Sequence, residues 1–246
     1  MNLSTISFED KLELAEDHLI HHAVLISLYK DSDVRIKRAI ARNPNAPENV
    51  LTYLSMEKDP TIRIRVAQNK NTPRVVLKDL YHQGYEPVIW SVASNPNTSS
   101  ALLERMYENE NCRKGLAKNI NSSDELLFKL SEDEHPYVRW RVAENPNTSV
   151  EILRVLAKDS DPHVRGSVAF NNNTPPDVLL EMSKDEDEHV RWDVATNNNT
   201  PLEALMILSK DDCEDIVDEA INHSNFKAQF ELELDREDSF EPVMGR

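Results

Sequence analysis

Apolar residues in this chain recur with the spacing of short amphipathic helices, and the pattern restarts at a fixed interval. Each round closes on an asparagine, at Asn43, Asn69, Asn95, Asn119, Asn145, Asn171 and Asn197, and the successive gaps are 26, 26, 24, 26, 26 and 26. A period of this length is the mark of a repeat architecture, in which no single repeat can bury its own apolar face and neighbours must stack. With the asparagine as position 0, apolar side chains at −7 and −3 and alanine at −2 predict a first helix, as in Val138, Val142 and Ala143 or Val164, Val168 and Ala169. Leucine or methionine at +8 and +11 predicts a second helix. Leu51 and Leu54, Leu77 and Leu80, Leu103 and Met106, Leu127 and Leu130, Leu153 and Leu156, Leu179 and Met182, and Leu205 and Leu208 hold these places. An apolar side chain at +7, such as Val50, Val76 or Ile152, widens that face.

The polar side chains between the two helices predict a tight turn. Thr72, Thr98, Ser122, Thr148, Thr174 and Thr200 stand at +3, with acids at +6 in Glu125, Glu151, Asp177 and Glu203, the spacing of a capping box. Pro47, Pro73, Pro175 and Pro201 at +4 suit the first position of the second helix. The asparagines at 0 and +2 suit a left-handed residue after the first helix and hydrogen bonds within the turn. All of these are structural assignments.

Weaker copies of the pattern extend the array. Val24, Leu25 and Leu28 fall in register with a position 0 at Asp17, so a degenerate repeat covers 8–30, regular repeats 31–210, and a polar capping helix 211–225. Ala220, Ile221 and Asn225 imitate the pattern there, among Asp215, Asp218 and Glu219. The reading is one domain over 1–225, all-α and without a β-sheet. Residues 226–246 read as an acidic tail, with Phe226, Phe230, Leu232 and Leu234 able to tie its start to the last helices.

Residues 157–180 state the repeat most fully, with Asp159, Asp161-Pro162, Val164-Arg165, Val168-Ala169, Asn171, Thr174-Pro175 and Val178-Leu179. This consensus resembles the leucine-rich repeat variant family, a relative of HEAT-like repeats. The resemblance covers about 31–210 and implies a right-handed α-solenoid of about eight two-helix repeats. Some members carry an amino-terminal cysteine cluster for an iron–sulfur centre; the first cysteine here is Cys112, so the resemblance supplies no cofactor.

Basic side chains at −6, Lys37, Arg63, Arg113, Arg139, Arg165 and Arg191, follow acids at −12, Asp31, Glu57, Asp133, Asp159 and Asp185, in five repeats. HEAT-like repeats use such residues as an internal ladder that ties neighbouring repeats together by charge-assisted hydrogen bonds, and that reading is preferred here to anion binding. Positions −8, −5 and −1 share another face of the first helix. Trp90, Trp140 and Trp192 all stand at −5, with Tyr137 and His189 at −8 and Phe170 at −1; Arg35, Arg38 and Arg42 continue the strip near the amino-terminal end. Such residues fit either a partner-binding surface or a cover over the edge of the next repeat.

Charge narrows the partners. The chain of 246 residues has a net charge of −16, yet the segment 30–78 carries +6 and the segment 119–246 carries −17. A protein this acidic is a poor general nucleic-acid binder. The leading expectation is a non-enzymatic scaffold that holds a protein or peptide along the aromatic strip. The alternative is a nucleic-acid-binding solenoid using Lys37, Arg38, Arg42, Arg63 and Arg65, and the least favoured is a HEAT-like DNA glycosylase with Glu144 one turn after Trp140. His18, His21 and His22 share a helical face without a convergent third ligand, so no metal is expected. Cys112 and Cys213, four repeats apart, are expected to be free. No targeting sequence or membrane span is read from the chain, which therefore reads as cytoplasmic.

Overall fold

A computed structural model describes residues 6–227, and within them every regular element is helical. In chain order these are α1 (Phe8–Glu16), α2 (His22–Leu28), α3 (Val34–Arg42), α4 (Glu48–Leu54), α5 (Pro60–Gln68) and α6 (Arg74–His82). Then follow α7 (Glu86–Ala93), α8 (Ser100–Met106), α9 (Arg113–Lys118), α10 (Asp124–Ser131), α11 (Pro136–Glu144) and α12 (Val150–Leu156). The last are α13 (Pro162–Phe170), α14 (Pro176–Met182), α15 (Glu188–Thr196), α16 (Leu202–Leu208) and α17 (Glu214–Asn222). The helices α3, α5, α7, α11, α13 and α15 carry the apolar positions at −7 and −3, and even-numbered helices carry the leucines and methionines at +8 and +11. The fold is therefore an α-solenoid of helix pairs. The chain divides into two compact units at Leu126/Leu127, inside α10. Most of the acidic tail read at 226–246, including Phe230, Leu232 and Leu234, lies outside the described residues.

The core follows the register. Every leucine or methionine named above at +8 or +11 is buried, as are Val138, Val142 and Ala143 of α11 and Val164, Val168 and Ala169 of α13. Alanine at −2 leaves room for the backbone of the next first helix. The degenerate first repeat starts where expected: Ser7 caps α1 by accepting from the Asp10 N–H, and Ala15, Leu25 and Leu28 are buried. In α17, Ile216 and Ala220 are buried while Ile221 is exposed.

The turn works differently from the sequence expectation. Among the described residues no non-glycine residue has a positive φ; Asn43, Asn69, Asn145, Asn171 and Asn197 have φ between −64° and −75° and ψ near 125°. Their side chains look backwards along the array instead. Asn69 Nδ2 donates to the carbonyl oxygens of Ala41 (2.9 Å) and Asn43 (2.8 Å), which stand at −2 and 0 of the preceding repeat, while its Oδ1 accepts from the Asn71 N–H at 2.9 Å. Asn43, Asn95 and Asn119 do the same in the first unit and Asn171 and Asn197 in the second. Carbonyls left unpaired at a helix end are thus satisfied by the next repeat.

The hydroxyl at +3 also turns back. Thr72, Thr98, Thr148, Thr174 and Thr200 each donate to the carbonyl of the valine at −3, at 2.5 Å, tying the turn to the first helix. They do not form the capping box. The second helix is capped from position +4, and Pro47, Pro73, Pro175 and Pro201 sit there with φ between −61° and −74°, one place ahead of the expected first helical position. The shortened repeat that ends at Asn119 is met by a 3₁₀ turn at Glu110–Cys112 leading into the brief α9.

Candidate functional site

Basic side chains at −6 form the expected ladder between neighbouring repeats, except Arg63 and Arg113. Each reaches the acid of the next repeat: Lys11 pairs with Asp31, Lys37 with Glu57, Arg139 with Asp159, Arg165 with Asp185 and Arg191 with Asp211, at 2.6 to 2.9 Å. The arginine forks are bidentate, and Nη1 also donates to the carbonyl at −12 of its own repeat, as Arg165 does to Asp159 O at 2.9 Å. Burial pushes the Asp159 and Asp185 carboxyls up, but the guanidinium and backbone N–H bonds outweigh it and hold both below the usual carboxylate range. Arg63 instead donates to Gln83 at 2.9 Å, and Arg113 lies over the Tyr107 ring. These cations are consumed by the fold.

The first unit places Arg35, Arg38, Arg42 and Trp90 on the outer faces of α3 and α7. Arg35 pairs with Asp33 at 2.7 Å and stacks on Phe8, its guanidinium 3.9 Å from the ring centre. Arg38 pairs with Asp59 at 2.9 Å, and the Thr61 hydroxyl and Arg38 together draw the Asp59 carboxyl down to about 2. Arg42 lines a shallow polar hollow with Glu16, His18 and Asn43. Trp90 is half exposed. His21 uses its Nδ1 to accept the Ala23 N–H and so caps α2. Among the described residues no three His, Cys, Asp or Glu side chains converge as a metal site. Cys112 is buried in the core and its thiol is pushed up to about 12 by burial, with Glu86 adding to the effect.

The second unit gathers the aromatic residues. Trp140 on α11, Phe170 on α13, and His189 and Trp192 on α15 line one groove of about 440 Å³, with Glu144, His163, Ser167, Asp187 and Asp193. A second hollow of about 280 Å³ lies beside it, between Tyr137, Trp140, Asp161 and His163. Tyr137 and Trp140 meet edge to face with centroids 5.0 Å apart. Arg141 lies over both rings, 4.9 and 4.8 Å from their centres, while bonding the Tyr137 hydroxyl (2.6 Å) and Glu144 (2.6 Å). Trp140 is therefore braced, whereas Phe170 and Trp192 are 68% and 44% exposed and have less holding them.

The groove exists because of a glycine. Trp140 and Trp192 occupy −5 in their repeats, and the repeat between them has Gly166 there. Gly166 stands between the two tryptophans, and the space beside it forms part of the groove floor. A Cβ on Gly166 would lie 2.7 Å from Asp193 Oδ2, so that carboxylate already fills part of the gap. Burial pushes Asp193 up to about 6, with His189 opposing and Asp187 adding to the shift. Sequence reasoning found Trp140, Phe170, His189 and Trp192 but passed over Gly166, His163, Asp187 and Asp193. The signal available was the glycine itself, standing in register where its neighbours carry tryptophan.

Comparison with known proteins supports the repeat. A solved structure described as a leucine-rich repeat variant with a novel repetitive structural motif matches at 25% identity and a TM-score of 0.54, over 87% of this chain and 82% of that one. The fold is that of the leucine-rich repeat variants, as the consensus implied. Two engineered proteins match at 17% and 15% identity with TM-scores of 0.32, covering 86% and 89% of this chain and 72% and 97% of theirs, too low a likeness to bear on the fold. No protein-family model and no curated protein matches the chain.

Proposed function

We propose that the protein is a non-enzymatic interaction scaffold whose second unit binds a protein segment at the groove lined by Trp140, Phe170 and Trp192. The observation that carries this reading is the gathering of exposed aromatic side chains around a concave surface that the core does not use. Large aromatics in a pocket bounded by polar residues have the composition of a binding hot spot. Helical-repeat scaffolds present such surfaces because stacking makes a face from one position of each repeat.

A nucleic-acid-binding role has less support. Lys37 and Arg38 are ion-paired to Glu57 and Asp59, Arg63 bonds Gln83 and Arg65 bonds Gln68, so four of the five cations that would meet phosphates have internal partners. The groove itself is bordered by Glu144, Asp187 and Asp193, which repel a phosphate backbone.

Peptide selection from a random displayed library against the full chain tests the proposal. Phe170→Ala and Trp192→Ala are the informative variants, because neither side chain is enclosed. Selected peptides should lose about tenfold or more in affinity on either variant, while melting temperature moves by no more than about 3 °C. Peptides that bind the wild type and both variants alike would overturn the assignment of the groove.

A further inference from the structure

We infer that the groove over Gly166 receives an extended peptide segment carrying a lysine or arginine, whose cation meets the Asp193 carboxylate between Trp140 and Trp192. This rests on the proposed function and adds the chemistry of the occupant.

Dimensions come first. Trp140 and Trp192 hold the same position in repeats two apart, and packed helices are about 8–10 Å between axes, so their backbone positions stand roughly 16–20 Å apart. That is too wide to clamp one side chain and matches about five residues of extended chain at about 3.3 Å each. Gly166 at the centre removes the side chain that would obstruct such a segment.

Charge selects the central residue. The Asp193 carboxylate has no hydrogen-bond or ion-pair partner among the described residues. This departs from the rest of the unit, where Asp159, Asp185 and Asp211 are each held by an arginine fork. A half-buried carboxylate without a donor is costly, and a cation entering from the ligand would relieve that cost. Trp140, Phe170 and Trp192 turn aromatic surface to the same groove, an environment favourable to ammonium and guanidinium groups. The protein already uses this chemistry internally, with Arg141 over Trp140 and Tyr137 and Arg35 over Phe8. The described residues of the second unit, 127–227, hold ten Lys or Arg and twenty-one Asp or Glu, a net −11, so the field around this unit draws basic segments and repels acidic ones.

The test uses the full chain and the pentapeptide acetyl-Ser-Leu-Arg-Leu-Ser-amide, with citrulline or norleucine replacing arginine as neutral probes. Indole N–H resonances of Trp140 and Trp192 report binding, assigned by Trp→Phe substitution. The arginine peptide should shift both resonances and leave Trp90 in place, with an affinity about tenfold above that of the citrulline peptide. Asp193→Asn should abolish that preference while helicity is retained and the melting temperature does not fall. Equal binding of charged and neutral peptides at Trp140 and Trp192 would sink the cation inference and leave the scaffold reading standing. No shift at either tryptophan with any peptide up to about 5 mM would count against both. Tighter binding of 7-methylguanosine, a cationic base, than of the arginine peptide would replace the peptide as occupant.

Discussion

His223 Nε2 lies 3.1 Å from the carbonyl oxygen of Asn197, where earlier repeats place an asparagine amide. Its Nδ1 accepts the Asn225 N–H at 3.1 Å, as asparagine Oδ1 does elsewhere, so Nε2 carries the proton and donates. The imidazole thus supplies the acceptor bond and one of the two donor bonds of the asparagine role for the last described repeat. His223→Asn should be tolerated, with a melting temperature within about 2 °C of wild type. His223→Ala leaves a buried carbonyl without its donor and should cost about 1–3 kcal/mol. Amide hydrogen exchange in α17 distinguishes them, because only the alanine variant should lose protection there.

Arg165 and Asp185 test the charge ladder. Both side chains are about nine-tenths buried and joined by two guanidinium bonds. Asp185→Ala leaves a buried guanidinium without its carboxylate and should destabilise by about 3 kcal/mol. The first unit shows a working variant of the same rung, Lys37 with Glu57 at 2.7 Å. Arg165→Lys combined with Asp185→Glu should therefore recover at least half of the loss seen for Asp185→Ala, a coupling that a double-mutant cycle by chemical denaturation measures. Additive single effects would mean that the rung is not a unit.

What could be read from the chain was the part of the structure set by local periodicity. Leu51, Leu153 and Val142 fell on the core because helix geometry and apolar spacing suffice to place them. The asparagines were found but misread. Their amide partners lie a whole repeat back along the chain, as Ala41 and Asn43 do for Asn69, and a turn viewed alone offers only the left-handed cap as a reason for asparagine. Thr148 failed as a capping-box residue for a related reason: its hydroxyl had a nearer carbonyl at Val142. The charge ladder was legible from its spacing, and Arg165 bonds the Asp185 carboxylate of the next repeat and the backbone carbonyl of Asp159 in its own. Site residues were legible where they were large. Asp193 and Gly166 matter through a contact between neighbouring repeats, which no single repeat reveals.

Asp193 makes stability depend on pH. Its folded carboxyl titrates near 6 against an ordinary value of 3.8, so between these values the folded state binds the proton more tightly. Stability contributed by this group therefore falls as pH rises from about 4 to 6 and stays low above. The facing groups are Trp140 and Glu144 from α11, His163 and Ser167 from α13, and Asp187 and His189 beside it. Because the groove is partly open to water, the expected effect is reduced to roughly 1–2 kcal/mol. Asp193→Asn should raise the neutral-pH melting temperature by a few degrees and flatten its slope between pH 4 and 6. A wild-type slope retained in the variant would assign the dependence to other groups.

Ser149 occupies the +4 position that is proline in the turns of Pro47, Pro73, Pro175 and Pro201, and its buried hydroxyl has no hydrogen-bond partner. Its φ of −67° and ψ of 156° match those of the prolines, −61° to −74° and 147° to 157°. The preceding residue is Thr148, and the same position before Pro175 and Pro201 is also threonine, so the restriction proline places on its neighbour is already met. Ser149→Pro should stabilise the second unit by about 0.5–1 kcal/mol, through lower entropy of the unfolded chain and removal of an unsatisfied hydroxyl. Serine to alanine separates the two contributions, since it removes only the hydroxyl. A proline variant less stable than the alanine variant in urea denaturation would show that the turn backbone needs the Ser149 N–H.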